Sequence, residues 1–89
     1  MLVIICYDIF DDRRRLRVMN AIEGYGYRVQ GSVYECHLDK RRLNELKQTV
    51  SRFINQETDR VRYYTCQPQI EMSAFVQSRN VRFTCTVTE

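Results

Sequence analysis

The chain opens with a short apolar run that ends at a carboxylate. Residues 2–7 are continuously apolar and rich in β-branched side chains, which is typical of a strand covered on both faces. Asp8 follows directly, and Asp11 or Asp12 can cap the helix that comes next. A carboxylate fixed at a strand end can hold a metal ion, and the arginines just beyond it can hold phosphate. This stretch therefore predicts a strand–helix unit that carries a site for a metal and for phosphate groups.

The next residues alternate between helical and strand patterns. A first helix is predicted over residues 12–23 from the spacing of Leu16, Met19 and Ile22, with Val18 beside them, and Gly24 and Gly26 stop it. Residues 27–38 form either one long bent strand or two short strands that turn near Gly31. Asp39 can cap a second helix that ends near Asn55, with a stripe of Leu43, Leu46, Val50 and Phe53.

The last third predicts further strands. Residues 60–66 alternate like a strand, which Gln67-Pro68 is expected to break. Residues 70–77 are ambiguous, and residues 81–87 are again strand-like. This order predicts an α+β protein: a ferredoxin-like β-α-β-β-α-β sandwich over residues 1–89, one domain, with an additional C-terminal strand. That strand can pair with its own sheet or with a partner's edge, so residues 67–89 are expected to make dimer or partner contacts.

Charge and cysteine content narrow the class of protein. Arginine supplies 12 of the 14 positive residues, and the net charge is +3. Arginine forks match phosphate oxygens, although genome bias or thermal adaptation explains such a composition equally well. The four cysteines form no C-x-x-C pair, and with His37 as the one histidine no zinc site is readable. No signal peptide or membrane span is visible, so we expect a cytoplasmic protein with reduced thiols.

The arginines around the predicted first helix are the second candidate feature. Arg13, Arg14, Arg15 and Arg17 crowd its first turns, where the helix dipole opposes positive charge. The alternative is a local network of ion pairs with the nearby aspartates, which contributes little at a surface. An anionic partner explains the excess better, and Arg15 and Arg17 are expected to be the most accessible. Arg28 opens the next strand and can extend the same surface.

Asp8 and four tyrosines complete the set of candidate site residues. Asp8 is either a turn cap or a metal ligand, and Tyr7 brings a polar tip beside it. Tyr34 and the Tyr63-Tyr64 pair are more simply explained by packing, although stacking on bases is possible. One carboxylate is too few to organise Mg²⁺ alone. If the protein is a nuclease, it should therefore be a dimer whose two-fold axis passes close to Asp8.

Two blocks of sequence motifs, separated by a short interval in the first 38 residues, resemble those of a known family. The chain is similar to the smaller of the two near-universal CRISPR-associated proteins of spacer acquisition. The residues that carry the resemblance are Tyr7-Asp8-Ile9, Asp11-Asp12-Arg13-Arg14-Arg15, Val18, Tyr25-Gly26, Arg28-Val29-Gln30 and Ser32-Val33-Tyr34-Glu35-Cys36. The motif-rich match covers residues 1–38, the match to about residue 66 is one of pattern and length, and the tail after Pro68 matches no motif.

The resemblance implies a ferredoxin-like homodimer in which the two copies of Asp8 face each other. It implies one Mg²⁺ per dimer, with Asp8 as metal ligand and Asp8 and Tyr7 as catalytic residues. Arg15, Arg17, Arg28 and Tyr34 correspond to positions implicated around that site, and the arginine-rich turn adds Arg14 to the expected nucleic-acid contacts. Tyr34 stands where Phe is usual, and Gly31 where a larger residue is common.

Two functions follow from the resemblance. The first is a metal-dependent endonuclease acting on RNA or duplex DNA. The second, which we favour as the cellular role, is a dimeric scaffold that grips duplex DNA while a partner integrase performs spacer acquisition. A ferredoxin-like toxin-type endoribonuclease is the main alternative, and a small-molecule regulatory domain is less favoured because no ligand motif is visible.

Overall fold

The computed structural model describes residues 1–72 and 79–87, which build an antiparallel sheet and two helices. The elements are β1 (Leu2–Asp8), α1 (Asp12–Glu23), β2 (Gly26–Gln30), β3 (Val33–His37), α2 (Lys40–Phe53), β4 (Arg60–Met72) and β5 (Arg79–Val87). The five strands have the order β2-β3-β1-β4-β5, so β1 lies at the centre. The predicted α+β class is confirmed. Among the described residues, neither helix is long and apolar enough to cross a membrane.

The two faces of β1 differ in burial. Val3, Ile5 and Tyr7 are buried and pack with residues of both helices in the core. Leu2, Ile4 and Cys6 point to the opposite face and are half-buried. The expectation that β1 is covered on both faces is therefore wrong for a single chain, because both helices lie on the same side of the sheet. We call the other side, which carries Leu2, Ile4 and Cys6, the helix-free face.

Aspartate caps begin both helices. Asp11, one of the two candidates, accepts a hydrogen bond from the Arg14 backbone N–H at 2.9 Å, and Asp39 accepts one from that of Arg42 at 2.8 Å. The predicted stripe of α2 is confirmed: Leu43, Leu46 and Val50 are buried and Phe53 is partly buried. In α1, Val18 and Ile22 are buried and Met19 is partly buried, but Leu16 is 55% exposed. Leu16 lies two residues from Val18, so it points away from the face that packs on the sheet.

The region 27–38 forms two strands rather than one. β2 and β3 pair antiparallel and turn at Gly31, whose φ of 48° lies in the left-handed region that favours glycine. Gly26 in β2 approaches β3 closely, since a Cβ there would lie 2.3 Å from the Glu35 carbonyl oxygen. The sequence left the one-strand and two-strand alternatives open, and the turn at Gly31 decides between them.

Strand β4 does not end at the predicted break. It runs through Pro68 to Met72, and β5 pairs with it from Tyr64↔Val87 to Met72↔Arg79. Its pairing with β1 ends at Cys66, so Pro68 stands where β4 has β5 as its one described neighbour, a position that tolerates proline. The strand predicted at 81–87 is confirmed and begins at Arg79. Of the ambiguous segment 70–77, residues 70–72 belong to β4 and the rest lies outside the described residues.

One cysteine pair corrects the expectation of reduced thiols. The β4–β5 register places Cys66 opposite Cys85, with 3.9 Å between their Cα atoms, and the two form a disulfide. Cys6 and Cys36 are free. The composition could not show this pair, because it depends on which strands are neighbours in the sheet.

Candidate metal and nucleic-acid site

Asp8 lies exposed at the end of β1, on the helix-free face. Side chains alternate along a strand, so Asp8 points to the same face as Leu2, Ile4 and Cys6. Its register partner on β4 is Arg60. A depression of about 260 Å³ surrounds it and is lined by Cys6, Tyr7, Asp8, Arg60, Arg62 and Tyr64. The carboxylate thus stands beside two arginines of β4, on a surface that neither described helix covers.

The described residues of one chain offer only part of a donor set for a metal. Among residues 1–72 and 79–87, no three His, Cys, Asp or Glu side chains cluster so that they could hold a metal ion. Magnesium prefers oxygen ligands and is usually held by one or two carboxylates together with waters and substrate phosphates. Asp8 fits as one such ligand, and a second copy of Asp8 would supply the other.

A larger cleft lies nearby and has different chemistry. It measures about 350 Å³, lies between the end of α2 and β4, and shares Arg60 and Arg62 with the Asp8 depression. The Lys47 ammonium lies over the Tyr63 ring there, 5.2 Å from its centroid. Its one carboxylate, that of Asp59, is buried and paired with Arg14. The size of this cleft therefore does not make it a metal site.

Arg14 is bound to Asp59 rather than open to solvent partners. Its Nε donates to Asp59 Oδ2 at 2.8 Å, and its Nη2 donates to Oδ1 at 3.2 Å. The Asn55 backbone N–H donates to the same carboxylate at 2.8 Å. The hydrogen bond from Arg14 lowers the pKa of the Asp59 carboxyl, against the opposing effect of burial. Arg14 therefore fastens the start of α1 to the α2–β4 loop, and we leave it out of the proposed nucleic-acid contacts.

Arg15 organises the loop between β1 and α1. Its Nη1 donates to the backbone carbonyls of Ile9 at 3.1 Å and Phe10 at 3.4 Å, and its Nη2 pairs with Asp12. Its side chain remains 39% exposed. The same guanidinium can therefore fix the loop next to Asp8 and still meet a phosphate from outside.

Arg17 and Arg28 are the predicted contacts that remain most open. Arg17 is exposed on α1, and Arg28 is exposed on β2, which is an edge strand. Within the part of the chain that the structure describes, neither forms an ion pair. Exposed arginines of this kind can meet an anionic ligand.

Tyr7 and Tyr34 lie on the opposite side of the sheet from Asp8. Tyr34 is fully buried, its hydroxyl donates to Glu23 Oε1 at 3.1 Å, and its ring centroid lies 6.1 Å from that of Tyr7. Burial, followed by the bond to Glu23, raises the pKa of Tyr34 to about 12. Tyr7 is 7% exposed. The Tyr34 ring therefore lies in the core, away from Asp8, whereas Tyr7 is nearly buried but still borders the Asp8 depression.

Sequence reasoning missed three features of this region. Asp59 was not singled out, because its partner Arg14 lies 45 positions away in sequence. Arg60 and Arg62 were assigned only to a strand, although their spacing of two puts them on one face. Phe10 received no role, yet it is the most exposed large apolar side chain described, at 82%.

The sequence of this chain is similar to those of known proteins. A family model described as CRISPR associated protein Cas2 matches residues 1–72. A CRISPR-associated endoribonuclease Cas2 from Synechocystis is 48% identical over 63 residues, 71% of this chain and 68% of the relative. A CRISPR-associated endonuclease Cas2 from Thermus thermophilus is 41% identical over 68 residues, 76% of each chain.

Solved structures show the same fold. The structure of a hypothetical protein from Thermus thermophilus superimposes with a TM-score of 0.74 at 37% identity, covering 89% of this chain and 96% of that one. Cas2 from Streptococcus pyogenes gives a TM-score of 0.68 at 30% identity, covering 73% and 84%.

The fold and these relatives place the chain in a class of small α+β proteins associated with CRISPR. The chain belongs to the CRISPR associated protein Cas2 family. The resemblance inferred from the Tyr7-Asp8-Ile9 and Ser32–Cys36 blocks is confirmed. Family membership supports a CRISPR-associated, nuclease-type role and disfavours the toxin-type alternative.

Proposed function

We propose that this chain acts in the cytoplasm as a ferredoxin-like homodimer whose two helix-free faces pack together. Leu2, Ile4 and Cys6 leave a half-buried apolar stripe on this face, and burying more apolar surface stabilises a small domain. Asp8 ends the same strand on the same face. A two-fold axis near the end of β1 therefore brings Asp8 of one protomer towards Asp8 of its partner.

The paired carboxylates form a site for one Mg²⁺ per dimer. The ion, when bound, supplies charge neutralisation at a phosphate and a water of lowered pKa. Asp8 of each copy holds it, while Arg60 and Arg62 border the same depression. Arg15 keeps the Ile9–Phe10 loop in place beside this site.

Nucleic-acid binding rests on exposed arginines of α1 and β2, together with Arg15 beside the Asp8 loop. Arg17 and Arg28 are exposed, and Arg15 is partly so. Contacts between arginines and the phosphates of a duplex hold it without reading its sequence, and they weaken as the salt concentration rises. In the cellular role we propose, the dimer grips duplex DNA as a scaffold for the integrase subunit during spacer acquisition, and cleavage of RNA or DNA is the activity of the Asp8 pair.

The exposed Asp8 carboxylate on the uncovered face carries this proposal. The test is Mg²⁺-dependent cleavage of RNA and of duplex DNA by the wild type and by Asp8→Asn, with duplex affinity measured in parallel. Asp8→Asn should abolish cleavage, while Arg17→Ala and Arg28→Ala should weaken duplex binding and flatten its salt dependence. Cleavage that persists in Asp8→Asn would refute the assigned site.

The same variants separate the two roles. If Asp8→Asn supports spacer acquisition while Arg17→Ala does not, the scaffold is the cellular role. If both variants fail, cleavage contributes as well. Duplex binding that does not respond to salt would contradict the scaffold.

A further inference from the structure

Phe10 is exposed between two residues that are anchored to the fold. Its side chain is 82% exposed, while the preceding residue, Ile9, is 4% exposed and belongs to the core. The following residue, Asp11, caps α1. The chain thus turns Phe10 outward between two anchored neighbours.

The loop that carries Phe10 is held by side-chain contacts. Arg15 Nη1 donates to the carbonyls of both Ile9 and Phe10, and Arg15 is itself paired with Asp12. A ring on a held loop loses little conformational freedom when a ligand covers it. The arrangement is therefore suited to a contact with a partner rather than to packing within the chain.

The surroundings of Phe10 indicate the partner. Asp8, two residues before it, is exposed on the proposed metal site, and Arg13 and Arg17 are exposed on the first turns of α1. A single exposed apolar residue is ordinary on a protein surface. An aromatic ring that lies in the sequence between the proposed metal-binding carboxylate and exposed arginines meets the two needs of a nucleic acid strand, which are charge for the backbone and a flat apolar surface for a base.

We propose that Phe10 stacks on an unpaired nucleobase, so that the preferred ligand is nucleic acid with a single-stranded tail rather than a fully paired duplex. This inference rests on the proposed nucleic-acid function and specifies its substrate class. Stacked bases inside a blunt duplex offer no free face, whereas a tail that passes Asp8 does. The arginines then bind both ligands, and Phe10 discriminates between them.

Affinity measurements test the discrimination. Phe10→Ala should weaken binding of a tailed duplex by roughly 5- to 150-fold, the range for loss of one base–aromatic stack, and leave a blunt duplex unchanged. Val29→Ala removes another exposed apolar side chain, on β2, and is the matched control with no effect on either ligand. Phe10→Tyr retains a ring and should restore the preference for the tail.

Phe10→Trp gives a direct spectroscopic readout. The chain contains no tryptophan, so this variant carries a single indole whose fluorescence is quenched when a base stacks on it. Quenching by the tailed duplex and not by the blunt one is expected. Equal losses of affinity for both ligands in Phe10→Ala, or unchanged affinity for both, would overturn the inference.

A different partner for Phe10 would give different results in these experiments. If Phe10→Ala shifts the monomer–dimer equilibrium without changing the preference for a tail, the ring belongs to a contact with a second copy and the inference is refuted. If Arg17→Ala weakens blunt-duplex binding while Phe10→Ala is silent, the proposed function stands and the stacking role alone fails.

Discussion

Asp59→Asn is the substitution whose effect the structure defines most closely. The Asp59 side chain is fully buried and accepts two hydrogen bonds from Arg14, one from the Asn55 backbone and one from the Thr58 hydroxyl. Asparagine keeps the shape, removes the charge and turns an NH₂ group towards donors. Breaking a buried pair costs about 3–5 kcal/mol. Arg14 is 31% exposed and can recover some hydration, so we expect about 2–3 kcal/mol for Asp59→Asn.

That loss is large for a chain of 89 residues. The unfolding entropy of such a chain is about 190 cal/mol/K near its melting temperature, so Tm should fall by about 10–16 °C. Thermal and urea unfolding, followed by circular dichroism at one fixed protein concentration, measure the change. Asp12→Asn is the control: it removes a carboxylate that is 87% exposed and paired with Arg15, and should change Tm little.

The pH dependence gives an independent check. The pKa of Asp59 lies below its ordinary 3.8 in the folded chain, mainly because Arg14 donates to the ionised form. The carboxylate therefore stabilises the fold fully above the unfolded pKa, and this contribution is lost as pH falls through the lower folded value. The gap between wild type and Asp59→Asn should close below pH 3.8. A gap that is small at neutral pH, or that stays constant into acid, would refute the reasoning.

Three further variants test other parts of the fold. Reducing the Cys66–Cys85 disulfide reopens a loop of sequence separation 19 and should cost about 3 kcal/mol; melting with and without dithiothreitol measures it, and unchanged Tm would contradict a formed bond. Tyr34→Phe removes the hydroxyl bond to Glu23 and should cost about 1 kcal/mol while leaving duplex affinity intact; a loss of affinity would return Tyr34 to the binding surface. Gly26→Ala should hinder folding, because its Cβ would overlap the backbone of β3, and a wild-type Tm would exclude that close approach.

Local patterns in the sequence predicted most of the framework. The apolar run of β1, the Asp39 cap and the stripe of α2 are short-range signals, and each appears in the structure where expected. Leu16 was misassigned because helical spacing alone does not say which of two overlapping stripes faces the sheet. Pro68 was misread because a proline break depends on whether the strand has an open edge, which only the pairing shows.

In the candidate site, too, the sequence predicted the residues with local signals and missed those that depend on distant contacts. Asp8 was identified because a strand-end position is visible locally. The Asp59–Arg14 pair was not, because it joins the start of α1 to a loop far along the chain. Tyr34 was assigned to the site through the resemblance, and the alternation of β3 turns its ring into the core instead.

The central claim is that two copies of Asp8 share one metal ion. Titration with Mn²⁺ followed by electron paramagnetic resonance, alongside sedimentation equilibrium, measures the ions bound for each dimer. We expect one ion for two chains in the wild type and none in Asp8→Asn, with the dimer retained in both. One ion per chain, binding that survives Asp8→Asn, or a wild-type monomer would contradict the account.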